Sequence, residues 1–412
     1  MRLLACLLVF STALSAQNVH TVEQLAGTQV QYLLERAPAM LTATDSADLE
    51  RTRQTLINLH VVADVTYTRE LSDGGDTLIH WTVEEANTVF PLIGFGGLRD
   101  NFFFLLGAKD INWRGRGNTL ESFYQNIEGE HNFRLAIANP HLRGSPWGYY
   151  TELQRYAARE PLYFPATVNY NYVNLSGGVG VSYTPRNGLT YRSGVNVFRE
   201  DYQRLDDIPL GPESLTLTKF LIKLTRDNDR RDYFGERQSG WYNTSVLQSV
   251  LTGGVGQAAP FFIGWHELRY YRLTGQRGNF ALRLRAGLSS NDATPFAPFV
   301  LDSQFNIRGI GNRIDRGTAQ LVLNVEYRHS LFRDGRGRFV LQGVIFSDLG
   351  SWRSPGGELS ELVARSSLKH FVGGGVRLAS PRVSSAVVRF DYGVDVAGYD
   401  RRGFVIGFGQ FF

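Results

Sequence analysis

Beyond its first residues the 412-residue chain has no run of 18 or more consecutive apolar residues, which excludes crossing a membrane with helices. Its mean hydropathy of −0.20 is too polar for a helical membrane protein. Cysteine occurs once, at Cys6. That residue falls inside an expected leader, so the mature chain is expected to hold neither a disulfide nor a thiol nucleophile. The 8 histidines are isolated, and no His-Glu-x-x-His or Gly-x-Ser-x-Gly segment occurs. Gly-rich pieces such as Gly94-Phe95-Gly96-Gly97 lack the strand–helix setting of a phosphate loop. No catalytic residue, metal or cofactor is therefore expected, and the chain reads as a non-enzyme. A dominant charge is missing too. Lys and Arg number 43, Asp and Glu 39, and the net charge of +4 is scattered, which gives no nucleic-acid surface. Anionic lipid headgroups are a partner that scattered surface arginines would suit.

What the chain has is alternation. Aromatics make up 13%, with 19 Tyr and 27 Phe. Residues 1–16 read as a secretory signal, with Arg2, the apolar run Leu3 to Phe10, and Ala13, Ser15 and Ala16 for cleavage. Residues 18–87 read as a small α+β domain. A strand from Val19 to Leu25 ends near Gly27, and a helix spans Thr28 to Arg36. A second helix, capped by Asp45 or Ser46, runs from Ala47 to Leu59. Strands at 61–71 and 77–84 flank the turn Ser72-Asp73-Gly74-Gly75.

From residue 88 to 412 only strands are expected, about 16 of them at roughly 20 residues each with loop, where a membrane strand needs about 9–11. In one, Phe280, Leu282, Leu284 and Ala286 oppose Arg283 and Arg285. In the next, Leu321, Leu323, Val325 and Tyr327 oppose Gln320, Asn324, Glu326 and Arg328. A charge facing lipid near the midplane costs about 2–4 kcal/mol, so the charged face is assigned to the lumen. A soluble β-sandwich would instead bury its apolar face. The last segment, Arg402 to Phe412, places Phe404, Ile406, Phe408 and Phe412 on one face, broken by Gln410. Such an aromatic ending is typical of bacterial outer-membrane barrels. The expected fold is mainly β: a 16-stranded antiparallel transmembrane barrel after one small α+β domain.

The longest break between strands in the C-terminal half is 290–316, containing Phe305-Asn306-Ile307-Arg308-Gly309-Ile310-Gly311. About nine residues separate Arg308 from the next strand, roughly 30 Å when extended, so the loop can fold into the barrel. Glu326 and Asp348 lie on the polar faces of the next two strands, where one guanidinium can bridge both. A solvated turn is the other reading of the same spacing. Pro91, Gly94, Gly96 and Gly97 weaken the first strand, and Gly403, Gly407 and Gly409 the last, which ends at Phe412; the general frequency of glycine in barrels, 44 of 412 residues here, is the other reading.

The Ile-Arg-Gly-Ile segment at 307–310 resembles the loop motif of the BamA/TamA outer-membrane superfamily, usually Val-Arg-Gly and an aromatic. Ile307 and Ile310 depart from it. Phe346-Ser347-Asp348-Leu349-Gly350 is similar to that family's Phe-x-Asp-x-Gly strand. Leu323 to Tyr327, Gly373 to Arg377, Arg389 to Gly393, Gly407 to Phe412, Asp110 to Gly117 and Ala138-Asn139-Pro140 look familial too. Residues 18–87, with Gly27 and Leu56 to Val65, resemble one POTRA domain. The resemblance implies a lock of Arg308 and Gly309 to Glu326, Asp348 and Gly350. It also implies a seam, at Pro91, Gly94, Gly96, Gly407, Gly409 and Phe412, that parts to template client strands. It implies an assembly, insertion or translocation factor of the outer membrane with a periplasmic POTRA domain. Client polypeptides, and periplasmic chaperones or accessory lipoproteins, are its implied partners. A single POTRA-like copy implies a narrower client set than that of the principal assembly factor. A dedicated secretion pore for one partner protein and a passive outer-membrane channel are the alternatives.

Overall fold

The computed structural model describes residues 18–22, 25–71, 77–96, 103–127, 129–164, 166–253, 260–291, 297–311, 314–335, 338–380, 387–398 and 400–412. The expected leader, residues 1–16, and the expected turn Ser72 to Gly75 lie outside the described residues.

The N-terminal unit comprises β1 (Asn18–Val22), α1 (Val30–Arg36), α2 (Ser46–Ile57), β2 (Val62–Leu71) and β3 (Thr77–Glu85), with a short 3-10 turn at Pro38–Leu41. Its sheet runs β1-β3-β2, with β1 parallel to β3 and β2 antiparallel to it. Asp45 caps α2, its carboxylate accepting from the Asp48 N–H at 2.8 Å. Leu33, Met40, Leu49, Leu56, Val65, Ile79 and Trp81 form the core, and the Trp81 indole N–H donates to the Met40 carbonyl at 3.1 Å.

The barrel strands are β4 (Val89–Gly96), β5 (Phe103–Trp113), β6 (Asn118–Ile127), β7 (Glu130–Asn139), β8 (Trp147–Phe164), β9 (Ala166–Arg186), β10 (Leu189–Arg204) and β11 (Ser214–Phe234). They continue as β12 (Arg237–Gly253), β13 (Phe261–Thr274) and β14 (Gly278–Ser289). A loop hairpin, β15 (Phe299–Leu301) and β16 (Asp315–Gly317), precedes β17 (Ala319–Arg333), β18 (Val340–Arg353), β19 (Lys369–Ala379), β20 (Val387–Asp395) and β21 (Arg402–Phe408). Leaving out the loop hairpin, these make one 16-stranded sheet in chain order from β4 to β21. Period-2 burial holds along it. On β17, Val322, Asn324, Glu326 and Arg328 are buried while Leu321 and Leu331 are exposed, and on β18 Asp348 is buried while Ile345 is exposed. Among the described residues no helix is long and apolar enough to cross a membrane.

The C-terminus corrects one expectation. β21 stops at Phe408 rather than running to Phe412. Gly409 adopts φ 81°, a left-handed value that glycine tolerates, and the chain turns off the wall. Phe411 and Phe412 are buried against Tyr271 and Ala281 of β13 and β14, inside the barrel. Phe412 is therefore a lumen residue and not part of the seam. Gln410 breaks the apolar alternation where the strand ends.

Candidate functional site

The loop between β14 and β17 folds into the lumen and carries Arg308 to the wall. Its side chain has no exposure, nor have those of Glu326 and Asp348. Arg308 Nε and Nη2 donate to the two oxygens of Asp348 at 2.9 Å each, its backbone N–H to Asp348 Oδ2 at 2.9 Å, and Nη1 to Glu326 Oε2 at 2.6 Å. This is the forked geometry that only arginine supplies. The guanidinium lies over two aromatic rings, with Cζ 3.6 Å from the Phe346 centroid and 4.2 Å from that of Phe411. The C-terminal turn thus completes the site that the loop begins.

A wider network holds these groups. Asn324 donates to Asp348 at 2.8 Å and to the Asn306 carbonyl at 2.8 Å, and accepts from Arg283 Nε at 2.9 Å. Arg328 pairs with Glu326 and donates to the Phe412 carbonyl at 3.0 Å. Asp391 of β20 accepts from Arg377 at 2.6 Å and lies 4.0 Å from Arg308 Nη1. Backbone contact explains the glycine. Gly309 has φ 95°, and a Cβ on Gly393 would stand 2.2 Å from the Arg308 carbonyl oxygen. A Cβ on Gly350 would press on Trp352 and Ile307.

The lock residues Arg308, Gly309, Glu326, Asp348 and Gly350 are thus brought together. Asp391, Phe346, Phe411 and Arg283 belong with them and were not singled out from sequence. Asp391 was visible in the alternation of outward Phe390 and Tyr392 around it. Phe411 had only the Gly409-Gln410 interruption to mark it.

At the proposed seam, β4 and β21 lie side by side but are the two ends of the hydrogen-bonded order. Among the described residues no ladder joins them. Pro91 and Gly94 sit on β4, opposite Ala108 and Leu105 of β5, and Gly96 ends the strand. Gly407 has a further reason to be glycine: a Cβ there would stand 2.6 Å from Arg389 Nε.

The N-terminal unit caps one mouth of the barrel. The Gln29 N–H donates to the Gly115 carbonyl at 2.8 Å, and Asn112 donates to the Thr28 hydroxyl at 2.8 Å. Gly117, with φ 66°, lies against Tyr32, whose hydroxyl is 2.4 Å from where a Cβ would be. Asn187 donates to the Arg36 carbonyl at 2.7 Å, and Asn58 to Asp232 at 3.0 Å. His60 meets the Tyr233 ring edge-on at 4.4 Å, and Arg36 Nη1 donates to the His141 ring at 3.0 Å. Burial, reinforced by Arg231 and opposed by Asp229, pushes the His60 imidazole down to about 4. Burial and Arg36, opposed by the Ser145 backbone and Glu35, do the same to His141, also to about 4. Both rings are neutral where the unit meets the barrel.

The profile of the Omp85 superfamily domain matches residues 112–412. No curated protein sequence matches the chain. Among solved structures, BamA from Haemophilus ducreyi lacking POTRA domains 1–3 is similar with a TM-score of 0.58 at 10% identity, over 98% of this chain and 89% of that one. CdiB from Escherichia coli gives 0.59 at 14%, over 90% and 70% of the two chains. CdiB from Acinetobacter baumannii gives 0.58 at 15%, over 96% and 73%. These likenesses carry the fold, and the profile match over most of the barrel carries the family: the chain belongs to the Omp85 superfamily of bacterial outer-membrane β-barrels.

Proposed function

We propose that this protein is an outer-membrane insertion or translocation factor for client polypeptides, working without a catalytic group. The observation that carries the reading is the unpaired junction of β4 and β21. These are short barrel strands of 8 and 7 residues, against 21 for β9 and β11. Among the described residues each has one side without a ladder partner, the edge that an incoming strand extends by backbone hydrogen bonding. Energy comes from that pairing and from burial of the client's apolar face in lipid, so no cofactor is needed. The N-terminal unit, a single POTRA-like domain, faces the periplasm in this reading. Among the described residues its edge strand β2 pairs with β3 alone, and this reading gives its other side to an extended client, a chaperone or an accessory lipoprotein.

A second reading, export of one partner polypeptide through the lumen, is favoured by two cavities. One of about 680 Å³ lies in the lumen beside the locked loop, lined by Glu152, Tyr172, Glu200 and Arg316 among others. The other, of about 410 Å³, lies between the N-terminal unit and the barrel mouth, bounded by His60, Tyr233 and Phe412. The deciding experiment reconstitutes the protein in proteoliposomes and joins β4 to β21 through an engineered disulfide. Loss of client-barrel folding, restored by reduction, supports insertion at the seam. Insertion that is indifferent to the cross-link refutes it, and partner export that survives the cross-link assigns the lumen.

A further inference from the structure

The locked loop has a second anchor on the opposite wall. Arg316, in β16, reaches the β8 strand, where Nε and Nη2 both donate to Glu160 Oε2, the former at 2.9 Å. Its Nη1 donates to the Ala297 carbonyl at 3.1 Å, which fixes the guanidinium to the loop's own hairpin. The Glu160 side chain is 3% exposed and that of Arg316 17%, so the pair is shielded from solvent far better than a surface ion pair. Backbone hydrogen bonds tie the described parts of the hairpin together. Leu301 and Asp315 are register partners, the Ile314 N–H donates to the Leu301 carbonyl at 2.8 Å, and the Ser303 N–H to the Gly311 carbonyl at 2.7 Å.

β8 and β18 are the fifth and thirteenth strands of the sixteen, counted from β4, so they face each other across the ring. The junction of β4 and β21 lies on one of the two arcs that separate them, three strands from β18 and four from β8. When that junction widens by bending of the opposite arc, the wall holding β8 and the wall holding β18 move apart. The loop joins them, with Glu160–Arg316 at one end and Asp348–Arg308 at the other.

We propose that the Glu160–Arg316 pair makes this loop a strut across the lumen, and that it sets how far the β4–β21 junction opens. Glu160 is thereby a positioning residue for client insertion, acting at a distance from the edge that a client would meet. The inference rests on the seam reading above only for its functional meaning, because the opening is measured without any client.

The test places spin labels on cysteines introduced at Ile93 of β4 and Phe404 of β21, with Cys6 replaced by serine, in nanodiscs. In Glu160→Gln the inter-label distance distribution is expected to gain a longer component, with the open fraction up about tenfold or more. Arg316→Gln reaches the same broken pair from the other side and is expected to match it. The charge-swapped double variant, Glu160→Arg with Arg316→Glu, is expected to restore the short distance, which a general loss of stability would not do. Protection of the Arg308 segment from added protease is expected to persist in all three, showing that the other anchor holds. An unchanged distance distribution in both single variants overturns the strut, as does a double variant no closer to the parent than the singles. A client-insertion assay that fails while the distances shift as stated counts against the function and leaves the strut standing.

Discussion

Replacing Arg308 by alanine removes the cation that two buried carboxylates share, and its effect can be worked from the geometry. Glu326 keeps Arg328 as a partner, so its charge stays compensated. Asp348 loses two side-chain donors, both at 2.9 Å, and retains Asn324 and the backbone N–H at position 308. Breaking a buried pair from one side costs about 3–5 kcal/mol, and the surviving donors place this case near about 3. At 1.4 kcal/mol per tenfold change, the locked loop becomes about a hundredfold less favoured over the released one. Where opening is fast compared with cleavage, proteolysis reads that population. Added protease should therefore cut residues 297–311 about a hundredfold faster in Arg308→Ala than in the parent, with the barrel still heat-modifiable on gels. Arg308→Lys, which keeps the charge and loses the fork, should fall between. Equal cleavage rates in all three proteins would refute the lock as the element that holds the loop.

Gly393→Ala should mimic that release, since a Cβ would stand 2.2 Å from the Arg308 carbonyl oxygen; normal protection of the loop would contradict the close approach. Phe411→Ala should loosen the same site by about 3 kcal/mol or more, from lost packing and lost contact with the guanidinium, read by the same protease assay. Docking of the N-terminal unit should weaken on acidification. Both His60 and His141 are held near 4 when docked and return toward 6.5 when freed. Above about pH 6.5 nothing changes. Between about 6.5 and 4 the undocked state takes up protons that the docked state refuses, at a cost that reaches at most about 3 kcal/mol for His60. With the intrinsic pH dependence of exchange divided out, the protection of the Gln29 N–H at its Gly115 contact should fall over that window and stay constant in His60→Gln with His141→Gln; a parent protection factor that does not change with pH would contradict it.

Much of the barrel was legible because a strand has a period of two. Once the charged face of β17 is assigned to the lumen, Glu326 must point inward, and the same parity places Asp348 on β18. The local sequence of loop 290–316 held Arg308 and its flexible neighbours, so their meeting with those carboxylates could be proposed from reach alone. What could not be read were contacts with no periodic signal. The β15–β16 hairpin has three residues in each strand, too few to show alternation. Arg316 and Glu160 are 156 positions apart, and neither sits in a distinctive pattern. The C-terminal turn misled because alternation through Phe408 was carried on to Phe412, whereas Gly409 at φ 81° turns the last residues into the lumen. Glycines that read as seam weakness prove partly to be space for arginines, as at Gly407 beside Arg389.

The central claim is that client strands meet this protein at the β4–β21 junction. Its most direct test is photo-crosslinking during client insertion into proteoliposomes, with a benzoylphenylalanine at Ile93, at Phe404, or at Val195 on the outward face of β10. Adducts with the client at Ile93 and Phe404 and none at Val195 are the expected result. Adducts that are equal at all three positions, or confined to Val195, would contradict the account.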